Sequence, residues 1–150
     1  MVAPNRVPIR VLCVDDNRDA AESLALILRL VGVQAEAAFD GRSALETAAR
    51  FRPDACVSDI NMPGMDGYEL ARKLRAWAGE KPLLLVAVTA RSTEEDRQKS
   101  VDAGFDLHLN KPADPAAVVR TVLSYGNRLA SKDARMREAD GRRSGGQQRA

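Results

Sequence analysis

Five polar residues suited to phosphate chemistry follow short apolar runs of the chain. They are Asp15, Asp16, Asp59, Thr89 and Lys111. Three carboxylates brought together repel by roughly 4 kcal/mol per pair at 4 Å and an effective dielectric near 20, so the group needs a compensating cation. All-oxygen ligands without nearby His or Cys favour magnesium. An Asp carboxylate can attack phosphorus, and Lys111 and Thr89 would complete a site for an oxygen-rich dianion.

Five apolar runs predict the strands of a buried parallel sheet, and the reactive residues lie at the ends of four of them. The runs are short and rich in Val and Leu, at residues 9–14, 33–39, 54–60, 82–88 and 105–109. Helical periodicity lies between them, and in the first helix it places an apolar face on Ala20, Leu24, Ile27, Leu28 and Val31. The alternation predicts an α/β fold with a doubly wound five-stranded parallel sheet, whose ligand site lies at the carboxyl ends of the strands.

Capping patterns mark where the later helices begin. Asp66 with Glu69 and Ser92 with Glu95 are predicted capping boxes, and Asp114 precedes a proline at the first helical position. The fourth helix, about residues 93–103, offers Val101 and Ala103 as nearly its only apolar anchors. We therefore expect it to be weakly attached to the sheet and able to move.

Composition indicates one ordinary domain. The 150 residues are 45% apolar and carry a net charge of +2, and residues 126–150 alone carry +4. We expect an N-terminal extension at 1–7, one domain at 8–125 and a basic tail at 126–150, which begins as a frayed extension of the last helix and is then disordered. Neither a signal peptide nor a membrane span is recognisable, which predicts a cytoplasmic location without membrane contact. Cys13 and Cys56 sit in apolar runs and are expected to be buried and reduced.

Four segments together resemble the signature of response regulator receiver domains, in the CheY-like superfamily. They are VDDN at 14–17, SDINMPGMDGYEL at 58–70, VTA at 88–90 and NKP at 110–112. The resemblance covers about residues 8–125. It implies a flavodoxin-like three-layer sandwich with five helices and strand order 2-1-3-4-5.

The resemblance also implies a role for each residue that matches the family motif. Asp59 matches the phosphoacceptor. Asp16, Asp59 and the backbone carbonyl of Asn61 match the ligands of Mg²⁺, and Asp15 reaches the ion mainly through water. Asn61 and Arg91 match positions that modulate the lifetime of the acyl phosphate.

Four further positions match the phosphate contacts and the switch of the family. Thr89 matches the switch hydroxyl and Lys111 the lysine that pairs with a phosphoryl oxygen, and the Lys111–Pro112 peptide is expected to be cis. His108 stands where the family usually has Tyr or Phe. The alternative for His108 is a half-buried imidazole without a signalling role.

We therefore expect a stand-alone receiver, phosphorylated by a histidine kinase or a histidine phosphotransfer protein, and not a turnover enzyme. Its fourth helix, fifth strand and fifth helix would form the switched surface for an unknown downstream protein. Because 25 polar residues after 125 cannot fold a further module, we expect no direct DNA binding. The alternatives are a haloacid-dehalogenase-type phosphatase, whose second acid would have to replace Asn61, and a flavin-binding module, whose phosphate would meet the charges of VDDN.

Overall fold

A computed structural model of the chain describes residues 8–90 and 92–147. Strands and helices alternate along it. The strands are β1 Arg10–Val14, β2 Gln34–Ala38, β3 Ala55–Asp59, β4 Leu84–Thr89 and β5 Leu107–Asn110. The helices are α1 Arg18–Leu30, α2 Gly41–Phe51, α3 Gly67–Ala78, α4 Glu94–Ala103 and α5 Pro115–Gln147.

The strands form one parallel sheet in the order β2-β1-β3-β4-β5. This confirms the predicted doubly wound fold. Side chains of the central strands are buried on both faces of the sheet, which is why their sequences are apolar runs and not alternating patterns. Leu12, Cys56 and Leu85 pack toward α2 and α3, whereas Val11, Val57 and Val86 pack toward α1 and α5.

The two cysteines are free and buried inside these strands, as expected. Burial raises the pKa of the Cys13 thiol to about 12, and burial also raises the pKa of Cys56. Both side chains are therefore neutral core groups at physiological pH.

The caps of α3 and α4 lie at, or within one residue of, the predicted positions. Asp66 caps α3, since its Oδ1 accepts from the backbone N–H of Glu69 at 2.9 Å, which is one half of the predicted capping box. In α4 the capping box is formed by Thr93 and Asp96, one residue after the predicted pair. Overlapping patterns at residues 92–96 allow either pair, and packing of the helix decides between them.

The buried face of α1 agrees with the prediction in part. Leu28 is buried, and Leu24 and Ile27 are half-buried. Ala20 and Val31, by contrast, are exposed, and Ala21 and Ala25 are the other buried residues. The close approach of α1 to the sheet favours small alanines over larger apolar side chains at the contact.

α5 continues well past the expected boundary at residue 125, so the described part of the tail is helical. Residues 127–140 contain Arg, Lys, Ala and Glu and no proline, which favours a helix despite the polar composition. The limits of the folding unit, 8–125, stay a prediction, and residues 1–7 lie outside the described residues. Within the described ranges, no helix has both the length and the apolar character to cross a membrane.

Candidate functional site

Three carboxylates meet at the carboxyl edge of the sheet. Asp15 and Asp16 follow β1 and Asp59 ends β3, and each offers an oxygen within 4.8 Å of the others. Asp15 and Asp59 are each 8% exposed, whereas Asp16 is open to solvent. The neighbouring positions of β1 and β3 in the sheet bring these residues together.

Lys111 joins two of the carboxylates. Its Nζ lies 3.1 Å from Asp15 Oδ2 and 3.1 Å from Asp59 Oδ2. Burial on its own would lower the pKa of Lys111, but its hydrogen bonds and charge interactions with Asp15 and Asp59 outweigh burial and raise it. One ammonium cannot neutralise three carboxylates, so the cluster keeps an excess of negative charge.

Backbone N–H groups hold the carboxylates in fixed orientations. Asp59 Oδ1 accepts from the N–H of Ile60 at 2.7 Å and of Asn61 at 3.4 Å. Asp15 Oδ1 accepts from the N–H of Asn17 at 2.9 Å, and Asn17 in turn caps α1. The Asp59 carboxylate is therefore positioned before any ligand binds.

Gly67 shapes the loop beside Asp59, and the search for reactive side chains missed it. A Cβ at this position would lie 2.5 Å from the Asp59 carbonyl oxygen and 2.6 Å from Ile60 Cα. The Gly67 N–H donates to the Ile60 carbonyl at 2.8 Å, so the start of α3 packs directly on the end of β3. A glycine immediately after the cap Asp66 was the available signal.

The remaining predicted residues lie at or near this edge. Thr89 ends β4 and is fully buried, and its carbonyl accepts from the Lys111 N–H at 2.9 Å. The Lys111–Pro112 peptide is cis. Asn61 is exposed beside Asp59, and Arg91 lies outside the described residues.

His108 lies apart from the carboxylates and contacts α4. Its Nδ1 is 3.2 Å from Ser100 Oγ, and Ser100 Oγ also donates to the Asp96 carbonyl at 3.1 Å. Ser100 therefore connects His108 on β5 to the backbone of α4. Tyr68 on α3 reaches the same Asp96 carbonyl at 3.5 Å.

One of the two expected anchors of α4 is confirmed and the other is wrong. Ala103 is buried as expected, whereas Val101 is 64% exposed and Ser100 is buried in addition. The expected weak apolar attachment is thus supplemented by polar contacts of Ser100. Sequence alone did not single out Ser100, because a serine in a polar helix is usually solvated.

The site and the fold define a class of protein: a doubly wound α/β domain with an acidic cluster and a lysine at its carboxyl edge. The family model "Response regulator receiver domain" matches residues 11–123. The response regulator MprA of Mycolicibacterium vanbaalenii is 44% identical over 106 residues, which are 71% of this chain and 45% of that protein. The Mycobacterium tuberculosis transcriptional regulatory protein PrrA is 42% identical over 122 residues, 81% of this chain and 52% of PrrA.

Comparison with solved structures also points to this family. The chain is 30% identical to the Vibrio cholerae chemotaxis protein CheY4, with a TM-score of 0.74 and coverage of 79% of this chain and 99% of that chain. The chain belongs to the response regulator receiver domain family. Membership sets aside the phosphatase and flavin-binding alternatives.

One expectation is corrected by these relatives. The prediction that the protein has no direct DNA binding and acts only through another protein is wrong, because similar receivers belong to proteins such as a transcriptional regulatory protein. The chain spans about half the length of the curated relatives it matches. The prediction rested on the 25 residues after 125, which hold no information about the rest of a longer relative.

Proposed function

We propose that Asp59 accepts a phosphoryl group from a phosphohistidine of a histidine kinase or a histidine phosphotransfer protein. The observation that carries the proposal is the Asp59 carboxylate, buried and oriented by backbone N–H groups beside Asp15, Asp16 and Lys111. Family membership supports the same assignment.

In the transfer, an Asp59 carboxylate oxygen forms a bond to phosphorus as the phosphorus–nitrogen bond of the donor breaks. The imidazole leaves with the electron pair and takes up a proton. Lys111 already donates to Asp59, so its ammonium is placed to donate to an oxygen of the incoming phosphoryl group. The Thr89 hydroxyl is proposed to donate to a second phosphoryl oxygen.

The acidic cluster fits a hard divalent cation. Its donors are oxygens only, and its excess negative charge is one that a divalent ion would compensate. We propose that Asp16, Asp59 and the Asn61 carbonyl hold Mg²⁺, with Asp15 acting through water. The ion would supply positive charge against the phosphoryl oxygens.

The phosphorylated state is proposed to end by slow hydrolysis, in which water attacks phosphorus, the bond between phosphorus and the Asp59 oxygen breaks, and inorganic phosphate and the free carboxylate are released. Asn61 and Arg91 would modulate this rate. Because each protein molecule is its own substrate, the domain autocatalyses a switch without turning over a separate metabolite. The response would pass from Thr89 to His108 and to the surface of α4, β5 and α5, which would bind a partner or transfer the phosphoryl group onward.

Intact mass after incubation with acetyl phosphate and Mg²⁺ tests the proposal. Wild type is expected to gain one phosphoryl group, and chelator is expected to abolish the gain. Asp59→Asn should gain none, while Asp133→Asn, an exposed change on α5, should behave as wild type. Equal labelling of Asp59→Asn, or equal labelling in chelator, would contradict the proposal.

A further inference from the structure

Three cations form a stripe across the middle of α5. Arg128, Lys132 and Arg135 are all exposed, and their spacing of four and three residues places them on one face of the helix. The stripe, called here the α5 basic stripe, is about 10 Å long at 1.5 Å per residue. Within the described part of the chain, none of the three forms an ion pair with a carboxylate.

Two acids of α5 flank the stripe, and neither forms an ion pair with it in the described part of the chain. At about 100° per residue, Asp133 lies roughly 100° around the helix from Lys132. Glu138 follows Arg135 by three residues and lies roughly 60° from it, so it borders the C-terminal end of the stripe. Residues 126–150 carry a net charge of +4, whereas residues 1–125 carry about −2. The positive charge is therefore concentrated on this extension of the domain.

The direction of α5 separates the stripe from the acidic cluster. α5 begins after β5 at the carboxyl edge and runs back antiparallel to the strands, toward the opposite edge. Its 33 residues extend about 50 Å, far more than strands of four to six residues. Arg128 lies at this opposite edge, where it lines a groove with Leu84, Asp106 and Leu107. Lys132 and Arg135 lie further along the helix.

We infer that the α5 basic stripe binds the phosphate backbone of a nucleic acid, independently of the proposed phosphorylation. Arg128 lies 5.9 Å from the centre of the Tyr125 ring, and none of the three cations has an ion-pair partner in the described part of the chain. Three such cations over about 10 Å match the dense phosphates of a duplex, and contacts of this kind carry no sequence preference. A membrane-surface helix would need a broad apolar face beside the cations. Among the described side chains after residue 130, Met136 is the single large apolar group exposed. This arrangement favours a nucleic acid over a lipid surface.

Fluorescence anisotropy of a labelled mixed-sequence DNA duplex, titrated with the full chain at several salt concentrations, tests the inference. Three phosphate contacts predict a slope of log K against log salt of about −2.7, which is roughly a 40-fold loss of affinity between 50 and 200 mM salt. The variant Arg128→Gln/Lys132→Gln/Arg135→Gln should flatten the slope by about 2.7 units. Circular dichroism and acetyl phosphate labelling check that this variant is folded.

A matched control removes three exposed cations elsewhere: Arg42→Gln, Lys73→Gln and Lys99→Gln on α2, α3 and α4. The control should bind DNA with the wild-type slope. If both triple variants lost DNA affinity and salt dependence equally, the binding would depend on net charge alone, and the inference would be overturned. Absence of DNA binding at 50 mM salt, or binding to phosphatidylserine vesicles without binding to DNA, would overturn it as well.

Discussion

Lys111 is the residue on which the acidic cluster depends. It is the described cation that contacts both Asp15 and Asp59, and about a third of its side chain is exposed. Removing its charge would leave two mostly buried carboxylates facing each other. The same ammonium is proposed to donate to a phosphoryl oxygen once Asp59 is phosphorylated. Lys111 would therefore compensate negative charge in both the unphosphorylated and the phosphorylated state.

We predict that Lys111→Met lowers the free energy of unfolding in chelator by roughly 1–2 kcal/mol at pH 7, less than for a fully buried pair because solvent screens the exposed part. The folded-state pKa of Lys111 is raised, so its stabilisation is complete below the ordinary lysine pKa near 10.5 and is lost as the pH rises through the raised value. Urea unfolding is measured at pH 7 and above pH 10.5. The difference in free energy of unfolding between wild type and Lys111→Met should be smaller at the higher pH.

Lys73→Met provides the control, because Lys73 is half exposed and its single ion pair, with Glu69, is long at 3.9 Å. It should change stability by less than about 0.5 kcal/mol. A Lys111→Met protein as stable as wild type at pH 7 would show that the cluster does not depend on this ammonium.

Gly67 allows a second residue-scale prediction. Gly67→Ala should destabilise the protein by roughly 1–3 kcal/mol and slow phosphoryl uptake, because the added Cβ collides with backbone atoms at Asp59 and Ile60. Gly126→Ala is the matched change inside α5, where the Cβ would meet Ile9 at an ordinary 3.5 Å. Gly126→Ala should stabilise by about 0.5–1 kcal/mol through helix propensity. Chemical denaturation of both variants tests the prediction. A Gly67→Ala protein that is more stable than Gly126→Ala would contradict the packing described.

The sequence predicted the reactive residues of the site better than their supports. Asp15, Asp59 and Lys111 were recognisable because each combines a charge with a place after an apolar run. Gly67 and Ser100 were not, since the first acts through a missing side chain and the second through a contact made only in three dimensions.

At the scale of elements, α4 is the helix whose attachment is mainly polar. Ser100 connects it to His108 on β5, and Ala103 supplies its buried apolar contact. Elements held by few apolar contacts open more readily than the core. α4 also follows Thr89, so it is the element best placed to respond at the site.

We predict that Ser100→Ala makes the backbone amides of α4 exchange about fivefold faster, as expected for the loss of about 1 kcal/mol of hydrogen bonding. Exchange in α3 should stay the same. Thr121→Ala is the control, since Thr121 donates to the Ala117 carbonyl within α5 in the same way but has no described partner on another element. Hydrogen exchange followed by mass spectrometry is the measurement, and unchanged α4 protection in Ser100→Ala would show that this contact does not hold the helix.

Element boundaries show where local pattern stops being sufficient. All five strands and the order of elements follow from the alternation of apolar runs and helical segments, and they match to within two residues. The observed cap of α4 and part of the buried face of α1 lie one residue away from the predicted positions. Alternative caps and alternative helix faces differ little in local free energy, so tertiary packing selects between them. The continuation of the last helix past residue 125 was expected, but polar composition gives no measure of its length, and α5 is described as far as Gln147.

At the scale of the whole molecule, charge and function are divided between two ends. The acidic cluster lies at the carboxyl edge, and the α5 basic stripe begins at the opposite edge. The folded sheet and its helices bury their apolar residues before residue 123, and Val122 is the last fully buried core residue described. The extension is thus not required to complete the core.

We predict that a chain ending at residue 130 unfolds cooperatively with a stability within about 1 kcal/mol of the full chain and takes up a phosphoryl group at the same rate. The truncated chain should lose the salt-dependent DNA binding assigned to the α5 basic stripe. Thermal melting and acetyl phosphate labelling test the first part, and anisotropy tests the second. Loss of cooperative unfolding would show that residues beyond 130 contribute to the core.

The central claim, that the buried carboxylate of Asp59 is the phosphoacceptor, is tested most directly by locating the acyl phosphate. The protein is labelled with acetyl phosphate and Mg²⁺ and then treated with borohydride, which reduces an aspartyl phosphate to homoserine, before digestion and peptide sequencing by mass spectrometry. We expect homoserine at position 59 and unmodified Asp15 and Asp16 in the same sample. Homoserine at position 15 or 16, or no conversion at position 59 in a sample whose intact mass shows the phosphoryl group, would contradict the assignment.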